Sequence, residues 1–198
     1  MGAGEHCGGW PGAARLPHPD GRIAVSPPAA SVRSQGSITS YRVHILIDEC
    51  SQVSMVRNIT WTISNLCRGK KPFPDFNVLK EAVPMMYHLL HSDDEPIVLD
   101  CAWGISYLTD GEDEKIQFIV DHGFVPRLVQ LLSHPNQDMH IPTIRAIGNI
   151  VTGTDSQTQA VIDSGALNAF RALLASSREN IRKEAAWFAP KMKLEFQK

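Results

Sequence analysis

An all-α solenoid is the architecture these 198 residues predict. Tryptophan, or its replacement, recurs every 42 residues, at Trp61, Trp103, Arg145 and Trp187. Four positions further on stand Asn65, Tyr107, Asn149 and Lys191, and a third column holds Gly69, Gly111 and Gly153. No segment alternates apolar and polar residues for long, as a half-buried strand would. A fixed period of about 20–50 residues marks stacked units, each burying an apolar face on its neighbours.

The elements follow in chain order. Residues 1–40 hold seven Gly, five Pro and five Ser, with few large apolar side chains and no period. Such a stretch cannot bury enough surface to offset its ordering entropy, so disorder is expected, with Pro27-Pro28 locally extended. From about Tyr41 to about Ala189 helix formers and branched aliphatics take over. This gives a repeat domain over 41–189, about three and a half units, and a divergent tail over 190–198. Gly111 and Gly153 are placed to end a helix as C′ glycines. A short polar helix follows, within Glu112–His122 or Thr154–Ser164, with apolar spots at Ile116, Ile119 and Val120, or Val161 and Ile162. Gly123 and Gly165 end it. A second helix covers Phe124–Leu132 and Ala166–Leu174, matched upstream by Ala82–Leu90. Pro84 and Pro126 fall in its first turn, where a missing N–H costs little. The long third helices start near Met55, Ile97, Met139 and Ile181.

The third helix has two faces. At about 100° per residue, Val98, Cys101, Ala102, Ile105 and Leu108 share one side. Asp100, Trp103, Tyr107 and Asp110 share the opposite one. The aliphatic side is the core face. A tryptophan opposite it either covers a neighbouring helix or belongs to a surface ladder, and its recurrence with Asn or Tyr four residues on favours the ladder. Asn carries donors and an acceptor that match a peptide unit. Indole walls suit aliphatic stems and their π faces favour a cation. Acids beside such slots would take ammonium or guanidinium heads. Residues 92–121 contain nine acids and one base, Lys115. Most of these, Asp93, Asp94 and Glu112–Glu114 among them, read as a solvated face. Asp100 lies one turn before Trp103 on the same face, and Glu184 has the same phase before Trp187.

Charge and composition exclude other classes. Net charge is −2, against the basic surplus that nucleic-acid binding needs. No apolar run reaches about 18 residues, so no membrane span is expected. The first residues lack the basic and apolar regions of a secretory signal, and His6 stands where myristoylation wants Ser or Thr. Cys7, Cys50, Cys67 and Cys101 are widely spaced, with no C-x-x-C pair. They read as reduced thiols of the cytosol or nucleus, with no zinc site. No metal and no cofactor is expected.

W-T-I-S-N-L-C-R-G at 61–69, A-W-G-I-S-Y-L-T-D-G at 102–111, R-A-I-G-N-I-V-T-G-T-D at 145–155 and K-E-A-A-W at 183–187 resemble the armadillo repeats of importin α (karyopherin α). That family adapts lysine-rich nuclear localisation signals for import. The likeness runs over roughly 50–189 and points to its fourth to seventh repeats; the first three are absent, except that the resemblance reads Tyr41–Cys50 as a degenerate second helix. It implies a right-handed superhelix of three-helix repeats, and a place in both cytoplasm and nucleus. By position, Asn58, Trp61, Asn65, Arg68, Asp100, Trp103 and Tyr107 resemble part of the family's larger signal site. Asn149, Val151, Thr152, Thr158, Glu184 and Trp187 resemble the start of its smaller site. Arg145 interrupts the indole ladder, as in the family. The partners implied are proteins carrying basic localisation signals.

Two departures qualify the resemblance. The family's basic segment binds importin β, whereas residues 1–54 carry four Arg (Arg15, Arg22, Arg33, Arg42), no Lys and four acids (Glu5, Asp20, Asp48, Glu49). Importin β is therefore not an expected partner of this chain. After Ala189 the family's Ser-Asn is replaced by Pro190-Lys191, and proline inside a helix costs about 3 kcal/mol and usually ends it. An enzyme is the weakest alternative, since there is no Walker loop, no H-E-x-x-H and no G-x-S-x-G. His88, His91, His122, His134 and His140 fall near helix ends, where solvated or capping roles are expected. A non-transporting armadillo scaffold or decoy, binding through its helical surface, is the second class. A third is an armadillo module that grips acidic partners with a basic groove, but Asp100 and Glu184 set against Arg145 and Lys191, with three Trp, favour basic ligands.

Overall fold

The computed structural model describes residues 52–69 and 74–191. The expectations for 1–40, for Tyr41–Cys50 and for the tail past 191 lie outside the described residues. Every regular element among the described residues is helical. In order they are α1 (Val53–Cys67), α2 (Phe76–Leu79) leading through a 3-10 turn (Lys80–Ala82) into α3 (Val83–Leu90), α4 (Glu95–Leu108), α5 (Asp113–Asp121) and α6 (Phe124–Leu131). A 3-10 turn (Gln137–Met139) then opens α7 (His140–Ile150), followed by α8 (Asp155–Asp163), α9 (Ala166–Leu174) and α10 (Glu179–Phe188).

The long helices α1, α4, α7 and α10 lie side by side in chain order, and α3, α6 and α9 each back the long helix that follows. The core is the seam between these two rows. Val98, Cys101, Ala102, Ile105 and Leu108, the expected inner face of α4, are all buried, as are Ile144, Ile147 and Ile150 of α7 and Ile181, Ala185 and Phe188 of α10. Each large aliphatic chain so buried contributes about 1.5–3 kcal/mol. Burial against the neighbours, more than helix propensity, therefore holds helices of no more than 15 residues.

Helix ends are fixed locally. The Asp94 carboxylate accepts the Ile97 N–H at 3.3 Å and starts α4. Thr154 and Gln157 form a reciprocal capping box that starts α8. Gly123 and Gly165 sit at φ of 77° and 84°, the left-handed conformation that lets a short helix turn directly into the next.

Gly111 and Gly153 are not the left-handed C′ residues expected of them, since among the described residues only Gly123 and Gly165 have positive φ. Helix α4 ends earlier, at Leu108, with Thr109 as its cap. Space is the reason for glycine at 153. A Cβ there would stand 2.0 Å from Gln157 Oε1, which accepts the Thr154 N–H in the capping box. At the other end Pro190 does stop the last long helix. Helix α10 closes at Phe188, and Lys191 lies exposed in a turn.

Candidate peptide-binding groove

The side-by-side packing of α1, α4, α7 and α10 carries the 42-residue columns onto neighbouring helices. Trp61 is 55 % exposed and Trp187 73 % exposed. Trp103 is half-buried because Tyr107 stacks on it, with ring centroids 6.0 Å apart and planes 26° from parallel. None of the three indoles is a core side chain. The reading in which each covers a neighbouring helix does not fit Trp61 or Trp187.

Asp100 is half-buried and has no cationic partner among the described residues. Burial lifts its carboxyl above the ordinary value, because a charged carboxylate loses hydration there. Glu184, the acid in the same phase on α10, is already paired: Arg145 Nε donates to its carboxylate. The Arg145 guanidinium carbon also lies 5.6 Å from the centre of the Trp103 ring, a cation–π distance. The residue that interrupts the ladder thus bridges the rungs on either side of it.

The two asparagines use their amides within the solenoid. Asn65 Nδ2 donates to the Trp61 carbonyl at 2.8 Å. Asn149 Nδ2 donates to the Ser106 carbonyl at 3.0 Å and to Thr109 Oγ1 at 3.4 Å, which ties α7 to α4. Their Oδ1 atoms accept no hydrogen bond among the described residues, so each asparagine presents an acceptor to a ligand N–H. Asn58 and Arg68 are exposed, and Arg68 caps α1 beside a hollow that Tyr107, Asp110 and Lys115 also line.

At the far end the predicted residues divide. Thr152 is exposed and donates to the Asn149 carbonyl at 2.7 Å. Thr158 is half-buried, and its hydroxyl reaches the Thr154 carbonyl at 3.2 Å and the Val151 carbonyl at 3.4 Å. Val151 is only 4 % exposed and belongs to the core, which corrects its placement among groove side chains. It caps α7 in a helical conformation four residues after the buried Ile147, so its side chain keeps the core phase of that helix, and its N–H donates to the Ile147 carbonyl at 3.0 Å.

Ser106 and Thr109 were not predicted, yet they hold Asn149. A signal exists for the first: Ser64, Ser106 and Gly148 form a column of small residues three positions after the indole column. The histidines are partly as expected. His91 and His122 reach last-turn carbonyls, with Nδ1 2.8 Å from Tyr87 O and 2.7 Å from Phe118 O. His140 is instead buried at the start of α7, with Nε2 2.9 Å from His134 O. No group of His, Cys, Asp or Glu among the described residues could hold a metal, and no described helix is long and apolar enough to cross a membrane.

A family model, the armadillo/beta-catenin-like repeat, matches residues 76–110, 112–152 and 154–188. One stretch of 55 residues is 49% identical to importin subunit alpha-1 of Schizosaccharomyces pombe, covering 28% of this chain and 10% of that protein. A stretch of 54 residues is 54% identical to importin subunit alpha-6 of Arabidopsis thaliana, covering 27% and 10%. The matched stretches thus span about a tenth of these relatives' length. Among solved structures, a designed armadillo repeat protein in complex with peptide (KR)4 superimposes with a TM-score of 0.68 at 26% identity, over 78% of this chain and 68% of that one. Three repeats matched over more than half of the 198 residues, on a fold that superimposes on solved armadillo solenoids, place this chain in the armadillo-repeat family.

Proposed function

We propose that this chain is a non-enzymatic import-adaptor module that binds lysine- and arginine-rich nuclear localisation signals along the Trp/Asn face of its long helices. The observation that carries the reading is Trp61, Trp103 and Trp187 at one register outside the core, with the carboxylate of Asp100, unpartnered among the described residues, one turn before Trp103. Likeness to importin α subunits, and to a designed solenoid solved with a (KR)4 peptide, supports it.

Trp61 with Asn65 and Trp103 with Tyr107 form the continuous part, flanked by Asn58 and Arg68. Their indoles hold the stems of basic side chains, and Asp100 takes a charged head. Asn149, Thr152, Thr158, Glu184 and Trp187 form a second, shorter stretch. Packed helices lie about 8–10 Å apart and an extended peptide rises about 3.3 Å per residue, so adjacent rungs read about three residues. So short a contact must still offset association entropy, and micromolar or weaker binding is expected. Residues 1–54 have balanced charge, so the chain is not expected to be retained by immobilised importin β. Its place of work is the cytoplasm and nucleus.

Fluorescence anisotropy with a labelled (KR)4 peptide tests the reading. Trp103→Ala should remove most binding with the helical circular dichroism intact. Asp113→Lys, on the exposed start of α5, should do little. Equal losses from both would mean diffuse charge attraction and would sink the groove.

A further inference from the structure

Arg145 stands where the other long helices carry tryptophan, and it is engaged twice. Its guanidinium lies over the Trp103 ring at 5.6 Å and pairs with the Glu184 carboxylate. Both contacts are those a basic ligand side chain would make, one with an indole face and one with a groove carboxylate. Glu184 is thereby neutralised, while Asp100, one turn before Trp103 on α4, has no cationic partner among the described residues. The Arg145 and Glu184 side chains are 48 % and 24 % exposed, so water and a ligand can reach the pair.

Building on the basic-peptide reading, we propose that Arg145 is a tethered competitor: it fills the Trp103–Glu184 stretch with the chain's own cation and so sets how long a basic tract the face reads. At rest Arg145 already lies over the Trp103 ring, so a ligand's cations are confined to Trp61 and Asp100 and only its stems pass Trp103. A longer tract reaches Glu184 and Trp187 only by displacing Arg145. The displaced guanidinium then stands as an unpaired positive charge among the ligand's own. The two halves are thereby anticoupled, since a cation bound at Glu184 frees Arg145 against a cation over Trp103. An accessible ion pair and an exposed cation–π contact are each worth a factor of up to about five, so displacement costs between a few-fold and about thirtyfold in affinity.

The test uses the full chain and two labelled peptides, (KR)2 and (KR)4, at about 0.15 M ionic strength. Arg145→Gln should tighten (KR)4 by about five- to thirtyfold and leave (KR)2 within about twofold, because only the longer tract spans the freed stretch. Arg145→Lys, which keeps the charge, should stay near the wild type. The gain should vanish in Arg145→Gln with Glu184→Gln. Arg171→Gln, which removes an exposed cation from α9, controls for net charge. An equal gain from Arg171→Gln, an equal gain for both peptides, or no gain for (KR)4 while Trp103→Ala still abolishes binding, overturns the tethered competitor and leaves the groove standing. Unchanged binding of both peptides by Trp103→Ala overturns the groove reading and the competitor with it.

Discussion

Arg57 on α1 grips Asp94 at the start of α4 through two parallel bonds, Nε to Oδ1 at 3.0 Å and Nη2 to Oδ2 at 2.6 Å. The same Oδ1 accepts the Ile97 N–H, so one carboxylate both joins two repeats and caps a helix. The hydrogen bond to Asp94 is the main cause that raises the Arg57 pKa above its ordinary value. The two roles can be separated by mutation. Arg57→Ala removes only a half-exposed ion pair and should cost about 0.2–1 kcal/mol. Asp94→Ala also removes the cap, worth about 0.5–2 kcal/mol, and should cost more. Urea unfolding of both variants decides it, and equal costs would mean that the cap contributes nothing.

Close approach of the long helices gives a second prediction. A Cβ on Gly148 of α7 would stand 2.4 Å from three atoms of the Phe188 ring on α10. Gly104 of α4 would meet Met86 Cε at 2.7 Å, the free end of a flexible chain, and Ser64 Cα at 3.3 Å, close enough that the neighbour must give by only a few tenths of an ångström. A rigid buried ring cannot yield as a methionine tip can. Gly148→Ala should therefore destabilise by about 1–3 kcal/mol, the usual cost of overpacking, and Gly104→Ala by less. Thermal unfolding that ranked them the other way would mean that Phe188 swings aside freely.

These contacts show what a sequence period carries and what it does not. The columns placed Trp61, Trp103 and Trp187 outside the core because a 42-residue repeat transfers one helical phase to every unit. They placed the inner face of α4 for the same reason. They did not show that Arg145 lies on Trp103, or that Asn149 bonds Ser106, since such contacts depend on how neighbouring long helices are offset and tilted. The resemblance placed Val151 in the groove, but helical phase does not: it lies four residues after Ile147 and seven after Ile144, on the buried side of α7. Gly153 and Gly165 illustrate the limit of composition: one makes room for a side chain, the other supplies a left-handed φ, and the letter is the same.

The thiols give a prediction about reactivity. Cys67 and Cys101 are free and buried. Burial pushes Cys67 up to about 12. Burial first, then the neighbouring Cys67 and Asp100, pushes Cys101 well above its ordinary value. The thiolate is the nucleophile, so neither should react with iodoacetamide near pH 8 until the chain unfolds. Unfolded thiols ionise from about 9.0, ahead of the folded ones. Stability is therefore fully present below that value and is lost as pH rises towards about 12. Peptide mass spectrometry should find both sites unmodified in the folded protein. Rapid native labelling at Cys67 or Cys101 would contradict their burial.

Asp100 should show a conflict between stability and binding. Its carboxyl is half-buried with no cationic partner among the described residues, and loss of hydration raises its pKa above the 3.8 it has in an unfolded chain. The folded state therefore holds its proton more tightly than the unfolded state. Stability from this group is present in full below 3.8 and is lost as pH rises through the higher folded value, so at neutral pH the charge is a burden on the fold. Asp100→Asn keeps the shape and removes the charge. At pH 7 it should be more stable than the parent in urea unfolding, with the difference shrinking as the pH is lowered towards 3.8. The same substitution should weaken (KR)4 binding by about 1–3 kcal/mol, the size of a hydrogen bond to a charged group. Salt should weaken the parent's binding more than the variant's, because only the parent offers a carboxylate to be screened. A variant that is less stable at pH 7 would show that an internal contact of Asp100 holds the fold. A variant that is more stable yet binds (KR)4 as well as the parent would remove Asp100 from the groove.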